Sequence, residues 1–113
     1  MPLSPLEYLK HILDEMDFLI ESQKGIREED FFKNTVLQRA FTRSLEIIGE
    51  VSKKVDPEFK KQFPDIPWKP MAQMRDKLIH DYFGIDFQIV WDIVTKEIPK
   101  LQSLISKVLS DKE

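Results

Sequence analysis

Four side chains capable of proton transfer and phosphate binding lie within one short stretch of the sequence. Arg75, Asp76, His80 and Tyr82 supply a guanidinium, a carboxylate, an imidazole and a phenol. An imidazole exchanges protons near neutral pH, and a guanidinium fork suits a charged phosphate transition state. Asp76 precedes His80 by four residues, so on a helix its carboxylate can contact the imidazole and hold one tautomer. The group predicts phosphate chemistry without a metal ion.

A simpler interpretation of the same stretch is a solvated helix end. On a helix that advances about 100° per residue, Arg75 and Tyr82 share one face, and His80 lies about 140° from Arg75. Near a helix end such side chains can converge on one ligand. An Asp–His pair at this spacing often only stabilises a helix, however. Composition and spacing alone favour the solvated interpretation, because such groupings arise easily by chance on any fold.

The elements that must position these side chains are predicted to be helices, because apolar residues recur at helical spacing. Four main helices are expected, over about residues 5–24, 34–55, 68–83 and from 87 onward. A short helical turn is expected over 27–30 and a connector over 57–67. Pro99 is expected to kink the last helix by freeing the carbonyl of Thr95. The sequence predicts an all-α antiparallel bundle of four main helices, in a single domain over residues 1–113.

Several residues mark where these helices begin and end. Ser4 and Asp86 are expected to cap the first and last main helices. Gly25 and Gly84 fit the left-handed position that follows a helix end. Gly49 lies inside the second long helix, where glycine costs stability. We expect it to permit the close approach of another helix beneath the candidate site.

The composition excludes several classes of protein. The 113 residues include 17 basic and 20 acidic side chains. The net charge of −3 argues against a protein that binds nucleic acid, DNA included, through its overall charge. The absence of cysteine excludes disulfides and thiolate metal sites, and the isolated pair of Glu7 and His11 is a poor metal site. No apolar run approaches the roughly 20 residues of a membrane span, and no signal peptide is visible. We therefore expect a cytoplasmic protein without a bound metal.

The arginine, histidine and tyrosine of segment 75–82 match the R-x4-H-x-Y motif of HepT-like proteins, which are members of the HEPN superfamily. The resemblance continues outside the motif. Residues 43–51 (RSLEIIGEV) resemble the family's second long helix, and residues 66–68 (IPW) and 82–86 (YFGID) resemble the segments that flank its third helix. A proline late in the last helix is also similar. The matching segments follow one another in the same order as in the family, and they cover roughly residues 6–109.

The resemblance implies a homodimeric ribonuclease toxin of a type VII toxin–antitoxin system. In that family two protomers pair so that two motifs face one cleft, and RNA is cut without a metal or other cofactor. The implied reaction is attack of a ribose 2′-hydroxyl on the neighbouring phosphate. By this resemblance Arg75 and His80 are the catalytic residues: His80 handles the proton and Arg75 binds the phosphate. Asp76 supports His80.

The resemblance also implies a protein partner, a minimal nucleotidyltransferase (MNT) antitoxin. In the family the antitoxin attaches AMP to the motif tyrosine, which corresponds to Tyr82. A bulky anionic adduct at that position would block RNA by steric hindrance and by repulsion from the phosphate backbone. Tyr82 is therefore expected to be a regulatory acceptor of AMP.

The main alternative is a HEPN module that binds nucleotides or partner proteins without cutting RNA. The acidic net charge is compatible with such a module. A purely structural helical bundle is a third interpretation, and it leaves the crowded motif unexplained. The intact arginine, histidine and tyrosine of the motif favour the active enzyme.

Charged and aromatic residues outside the motif have simpler expected roles. Glu50 on the second long helix could reach the motif, although Glu46 and Glu50 are expected mainly to be solvated or to pair with basic neighbours such as Arg43. Trp68 and Trp91 are expected in the core or a dimer interface rather than as platforms for RNA bases.

Overall fold

Helices account for most of the chain in the computed structural model, which describes residues 3–79 and 84–112. The helices in chain order are α1 (Pro5–Gln23), α2 (Glu28–Phe31), α3 (Thr35–Lys54), α4 (Pro57–Gln62), α5 (Trp68–Ala72), α6 (Met74–Leu78), α7 (Phe87–Asp92) and α8 (Ile98–Lys112). A π-helical turn over Ile93–Glu97 joins α7 to α8. The only β-type pairing among the described residues is one isolated bridge. The predicted all-α class is confirmed.

The core lies between the long helices. α1 packs most extensively on α3 and α8, and α3 also packs against α5, α6 and α7. Fully buried side chains from these helices fill the interior: Leu9, Ile12, Met16, Leu19, Phe41, Leu45, Ile48, Met71, Leu78, Ile98 and Ile105. Trp68 and Trp91 are also buried, as expected for core residues. None of the helices in the described ranges has both the length and the apolar character needed to cross a bilayer.

The predicted helix caps are present. Ser4 and Glu7 form a capping box at the start of α1, and their hydrogen bonds hold the pKa of the Glu7 carboxyl below its usual value, chiefly through the Ser4 backbone N–H. The Asn34 side chain accepts a hydrogen bond at the start of α3, and Asp86 accepts two at the start of α7. Gly25 lies at φ +75°, in the left-handed region. The caps therefore define the starts of the three long helical stretches.

The expected connector over residues 57–67 is partly helical, which corrects the prediction. α4 begins at Pro57, and the Asp56 side chain accepts a hydrogen bond from the Glu58 backbone N–H. Proline is favoured in the first turn of a helix because its missing N–H has no intrahelical partner there. Pro57 therefore ends one helix and begins another.

The third helix, predicted over residues 68–83, ends at Leu78, and residues 80–83 of that prediction lie outside the described residues. It consists of two short helices, α5 and α6, that meet at Gln73. Ile79 is extended and forms an antiparallel bridge with Ile85, and the Asp86 N–H donates to the Leu78 carbonyl at 2.8 Å. The last carbonyl groups of a helix have no hydrogen-bond partner within the helix. The Asp86 N–H supplies such a partner to the Leu78 carbonyl and so stabilises a helix end at Leu78. Local helical periodicity does not encode partners that lie six to eight residues further along the chain.

The distortion expected from Pro99 takes the form of a π-helical turn rather than a plain kink. The turn over Ile93–Glu97 immediately precedes the proline, and the Ile98 N–H donates to the carbonyl of Ile93. A proline ring collides with the carbonyl four residues earlier in a regular α-helix, here that of Thr95. The wider π-turn relieves that collision while the chain continues as α8.

Candidate functional site

The motif residues divide between the described and the undescribed parts of the chain. Arg75 and Asp76 lie on α6 and both are exposed. His80 and Tyr82 lie outside the described residues, as does the predicted contact between Asp76 and His80. Because α6 ends at Leu78, helical spacing does not relate Arg75 to Tyr82, and that part of the sequence argument is withdrawn.

The helix that carries the arginine is held close to α3 by a glycine. A Cβ atom at Gly49 would lie 3.3 Å from the carbonyl oxygen of Met71 and 3.3 Å from the Cβ of Met74. It would also lie 3.6 Å from the backbone N of Arg75. Met71 and Met74 are buried at this crossing. The predicted close approach at Gly49 is confirmed, and it fixes the backbone of Arg75 against α3.

A glutamate on α3 contacts the motif arginine. The Glu46 Oε2 atom lies 3.6 Å from the Arg75 Nε atom. The Arg75 side chain is 59% exposed, whereas the Glu46 side chain is only 22% exposed. At 3.6 Å the contact is an ion pair rather than a hydrogen bond, so the carboxylate attracts the guanidinium while solvent and ligands can still reach it.

From the sequence, Glu50 could reach the motif, but both Glu46 and Glu50 are expected mainly to be solvated or to pair with basic neighbours. Glu50 pairs with Arg43 at 3.4 Å on the exposed side of α3, which confirms the expected basic neighbour. Glu46, one turn earlier, is the residue that reaches Arg75. A signal was present, because residues three apart on a helix share a face and Glu46 lies three residues before Gly49. The face that receives α6 is therefore the face that carries Glu46.

Glu46 also lines a groove. Its volume is about 360 Å³, and its lining residues are Arg39, Thr42, Glu46, Ile85 and Phe87. Thr42 is only 8% exposed, and its hydroxyl has no hydrogen-bond partner among the described residues. We call this cavity the Phe87 groove. It joins α3 to the start of α7 beside the motif helix.

No group of three or more carboxylate or imidazole side chains comes together as a metal site within residues 3–79 and 84–112. The chemistry that these residues offer near Arg75 is instead one cation, one half-buried carboxylate and a partly apolar groove. An exposed guanidinium such as that of Arg75 is suited to hold an anionic group such as a phosphate.

Substitutions at Gly49 test how closely α6 packs against α3. Gly49→Val is expected to lower the free energy of unfolding by about 1–3 kcal/mol, because the branched side chain collides with the backbone of α5 and α6. Gly49→Ala is expected to be nearly neutral, since a gain of about 1 kcal/mol in helix propensity offsets the tight contacts. Urea unfolding measures both. Equal stability of the valine variant and the wild type would contradict the close packing of α5 and α6 against α3 at Gly49.

Comparison with known proteins places the chain in a family. Residues 12–108 match the family described as "Ribonuclease HepT-like". "Putative RNase TTE0752" of Caldanaerobacter subterraneus subsp. tengcongensis is 53% identical over 106 residues, which cover 94% of this chain and 95% of that protein. "Probable ribonuclease HepT" of Thermococcus cleftensis is 43% identical over 108 residues, which cover 96% of this chain and 98% of that protein. No solved structure matches. The chain belongs to the HepT-like ribonuclease family.

Proposed function

We propose that this protein is a metal-independent endoribonuclease that acts as the toxin of a type VII toxin–antitoxin system in the cytoplasm. The observation that carries the proposal is the match to the HepT-like family over residues 12–108, which includes the whole motif. The position of Arg75 supports it, because its guanidinium lies beside Glu46 and is still 59% exposed to a ligand. RNA is the proposed substrate.

The proposed reaction is an internal displacement at phosphorus. A ribose 2′-oxygen forms a bond to the adjacent phosphorus, and the bond from phosphorus to the 5′-oxygen breaks. His80 accepts the 2′-hydroxyl proton, and an imidazolium returns a proton to the departing 5′-oxygen. Arg75 binds the non-bridging oxygens as negative charge develops on them. The products are a 2′,3′-cyclic phosphate and a free 5′-hydroxyl.

Two copies of the chain are proposed to form one cleft. A single motif supplies one imidazole, whereas the reaction needs a proton acceptor on one side of phosphorus and a proton donor on the other. A homodimer in which two motifs face each other provides both. Asp76 is proposed to support His80 in each copy.

Regulation is proposed to act on Tyr82. A partner nucleotidyltransferase antitoxin of the MNT type would transfer AMP from ATP to the phenol, releasing pyrophosphate. The adduct places a negative charge and a nucleoside beside the cleft, which excludes the RNA backbone.

Chelation tests the metal independence of the proposed enzyme. Purified protein is expected to cut RNA at an unchanged rate in excess EDTA, because the proposed mechanism assigns proton transfer and charge stabilisation to side chains. Gel analysis of a labelled transcript measures the rate. Loss of cleavage in EDTA that a divalent ion restores would refute the mechanism. A transcript without stable folds controls for effects of magnesium on RNA structure.

The role of Glu46 is tested by a pair of matched substitutions on α3. Glu46→Gln is expected to lower kcat about 10- to 100-fold with a smaller change in KM, because the guanidinium of Arg75 loses its orienting charge. Glu50→Gln, one turn further along, removes a similar ion pair with Arg43 and is expected to leave kcat unchanged. Initial rates at varied concentrations of a guanine-free RNA measure both constants, so that a contact of Glu46 with a guanine base does not add to the change in KM.

Two further results decide whether Glu46 acts through the arginine. Glu46→Asp keeps the charge and is expected to recover part of the lost rate. Melting temperatures of all three variants should stay close to that of the wild type, since the contact with Arg75 is partly solvated. Equal losses of kcat in Glu46→Gln and Glu50→Gln would contradict the assigned role.

A further inference from the structure

The Phe87 groove is an open, mainly apolar depression on the surface of the protein. Its volume of about 360 Å³ falls in the range of pockets that bind small organic groups. We propose that the groove binds one RNA base next to the phosphate held by Arg75, and that it favours guanine. This inference rests on the proposed ribonuclease function and adds a specificity site to it.

The position of the groove relative to the motif follows from one shared side chain. Glu46 lines the groove and also lies 3.6 Å from the Nε atom of Arg75. In RNA, one ribose separates a base from its adjacent phosphate. A phosphate bound by Arg75 therefore brings a neighbouring base to the groove without a further element of the protein.

The walls of the groove offer surfaces on which a base can stack. Phe87 and Ile85 are half-buried and form an apolar side, and Arg39 adds a planar cation. The Phe87 ring meets the fully buried ring of Phe31 edge to face, with centroids 6.5 Å apart. That contact steadies Phe87 from the core side. Aromatic rings and arginine planes are the usual stacking partners of unpaired RNA bases.

Two polar side chains can read the edge of the base. The Glu46 carboxylate only accepts hydrogen bonds, and its two oxygens match the adjacent N1–H and N2–H donors of guanine. A carboxylate has acceptor sites enough to contact Arg75 at the same time. Thr42 contributes a buried hydroxyl without a partner among the described residues. Threonine on a helix divides between two χ1 rotamers, so this hydroxyl can turn toward a ligand.

The proposal is tested by direct binding of uncleavable trinucleotides. The probes are four 2′-O-methyl RNAs, U-X-U with each base as X, in which the methyl group blocks the attacking oxygen. Calorimetry is expected to show the G probe bound about tenfold more tightly than the U probe. Arg39→Gln and Phe87→Leu are expected to weaken the G probe about tenfold, the size expected for loss of one stacked base.

Matched controls distinguish the groove from general charge and packing effects. Arg43→Gln removes an exposed arginine one turn along α3, outside the groove, and Phe59→Leu shortens a half-buried phenylalanine at another place in the fold. Both are expected to bind all four probes as the wild type does. Thr42→Val keeps the shape of the side chain and is expected to reduce the difference between the G and U probes.

The outcomes separate this inference from the proposed ribonuclease activity. Equal binding of the four probes, no detectable binding of any of them, or equal losses in Arg39→Gln and Arg43→Gln would overturn the groove as a base site. Arg39 is exposed, so its variant gives an answer even where Phe87→Leu fails to fold. If the wild-type protein binds the probes through the groove but cuts no RNA, the proposed ribonuclease activity is refuted. The groove is then still supported as a base-binding site.

Discussion

His80→Ala and Arg75→Ala are each expected to abolish RNA cleavage and cellular toxicity. Loss of the imidazole removes proton transfer, which contributes about 10²–10⁴-fold to a rate. Loss of the guanidinium removes a charge aimed at the transition state, which costs about 10²–10³-fold. Arg75→Lys should recover little, because an ammonium lacks both the fork and the Nε that meets Glu46. Cleavage rates on a labelled RNA and growth after induction measure these effects.

The chain offers a matched control for each of these variants. His11 is the other histidine of the sequence and is exposed on α1. Arg43 resembles Arg75 in exposure and in its pairing with a glutamate of α3. His11→Ala and Arg43→Ala should cut RNA like the wild type, and circular dichroism should show all four variants folded. A folded His80→Ala protein that still cuts at the wild-type rate would exclude the proposed mechanism.

Tyr82→Phe is expected to preserve at least part of the toxicity and to remove its inhibition by the antitoxin. The substitution keeps the ring and removes the oxygen that would carry AMP. Intact mass after incubation with the MNT partner and ATP should show added AMP on the wild type and none on the variant. Cells that express the variant should remain at least partly inhibited even when the antitoxin is present.

Tyr8→Phe is the control, since Tyr8 is the other tyrosine and its hydroxyl accepts a 3.3 Å hydrogen bond from the backbone of Leu3 at the exposed start of the chain. It should accept AMP as the wild type does. Unchanged modification of the Tyr82→Phe variant would exclude Tyr82 as the acceptor. Loss of both modification and cleavage would assign the phenol a part in RNA binding or catalysis as well.

The sequence allowed those parts of the fold to be predicted that depend on neighbouring residues. The caps at Ser4 and Asp86 are contacts within one helical turn, and the apolar stripes of α1, α3 and α8 repeat every turn. Gly49 could be assigned to a close helix contact because glycine inside a helix is costly without a packing reason. These features need no knowledge of distant segments.

The errors involve contacts between segments. The end of α6 at Leu78 depends on the bridge from Ile79 to Ile85, which local helical periodicity does not encode. The pairing of Glu46 with Arg75 depends on how two helices cross, so the sequence did not single it out. The Phe87 groove likewise forms only where α3 meets the start of α7. The geometry of a site built across helices therefore required the structure.

The chemistry of the RNA ends is the most direct test of the central claim that side chains alone drive 2′-hydroxyl attack. A short labelled RNA is cut by the wild-type protein in EDTA, and the products are analysed by mass spectrometry. The account predicts a 2′,3′-cyclic phosphate on one fragment and a 5′-hydroxyl on the other, with neither product formed by His80→Ala. Fragments carrying a 5′-phosphate and a 3′-hydroxyl would contradict it, because a water molecule would then have attacked in place of the ribose.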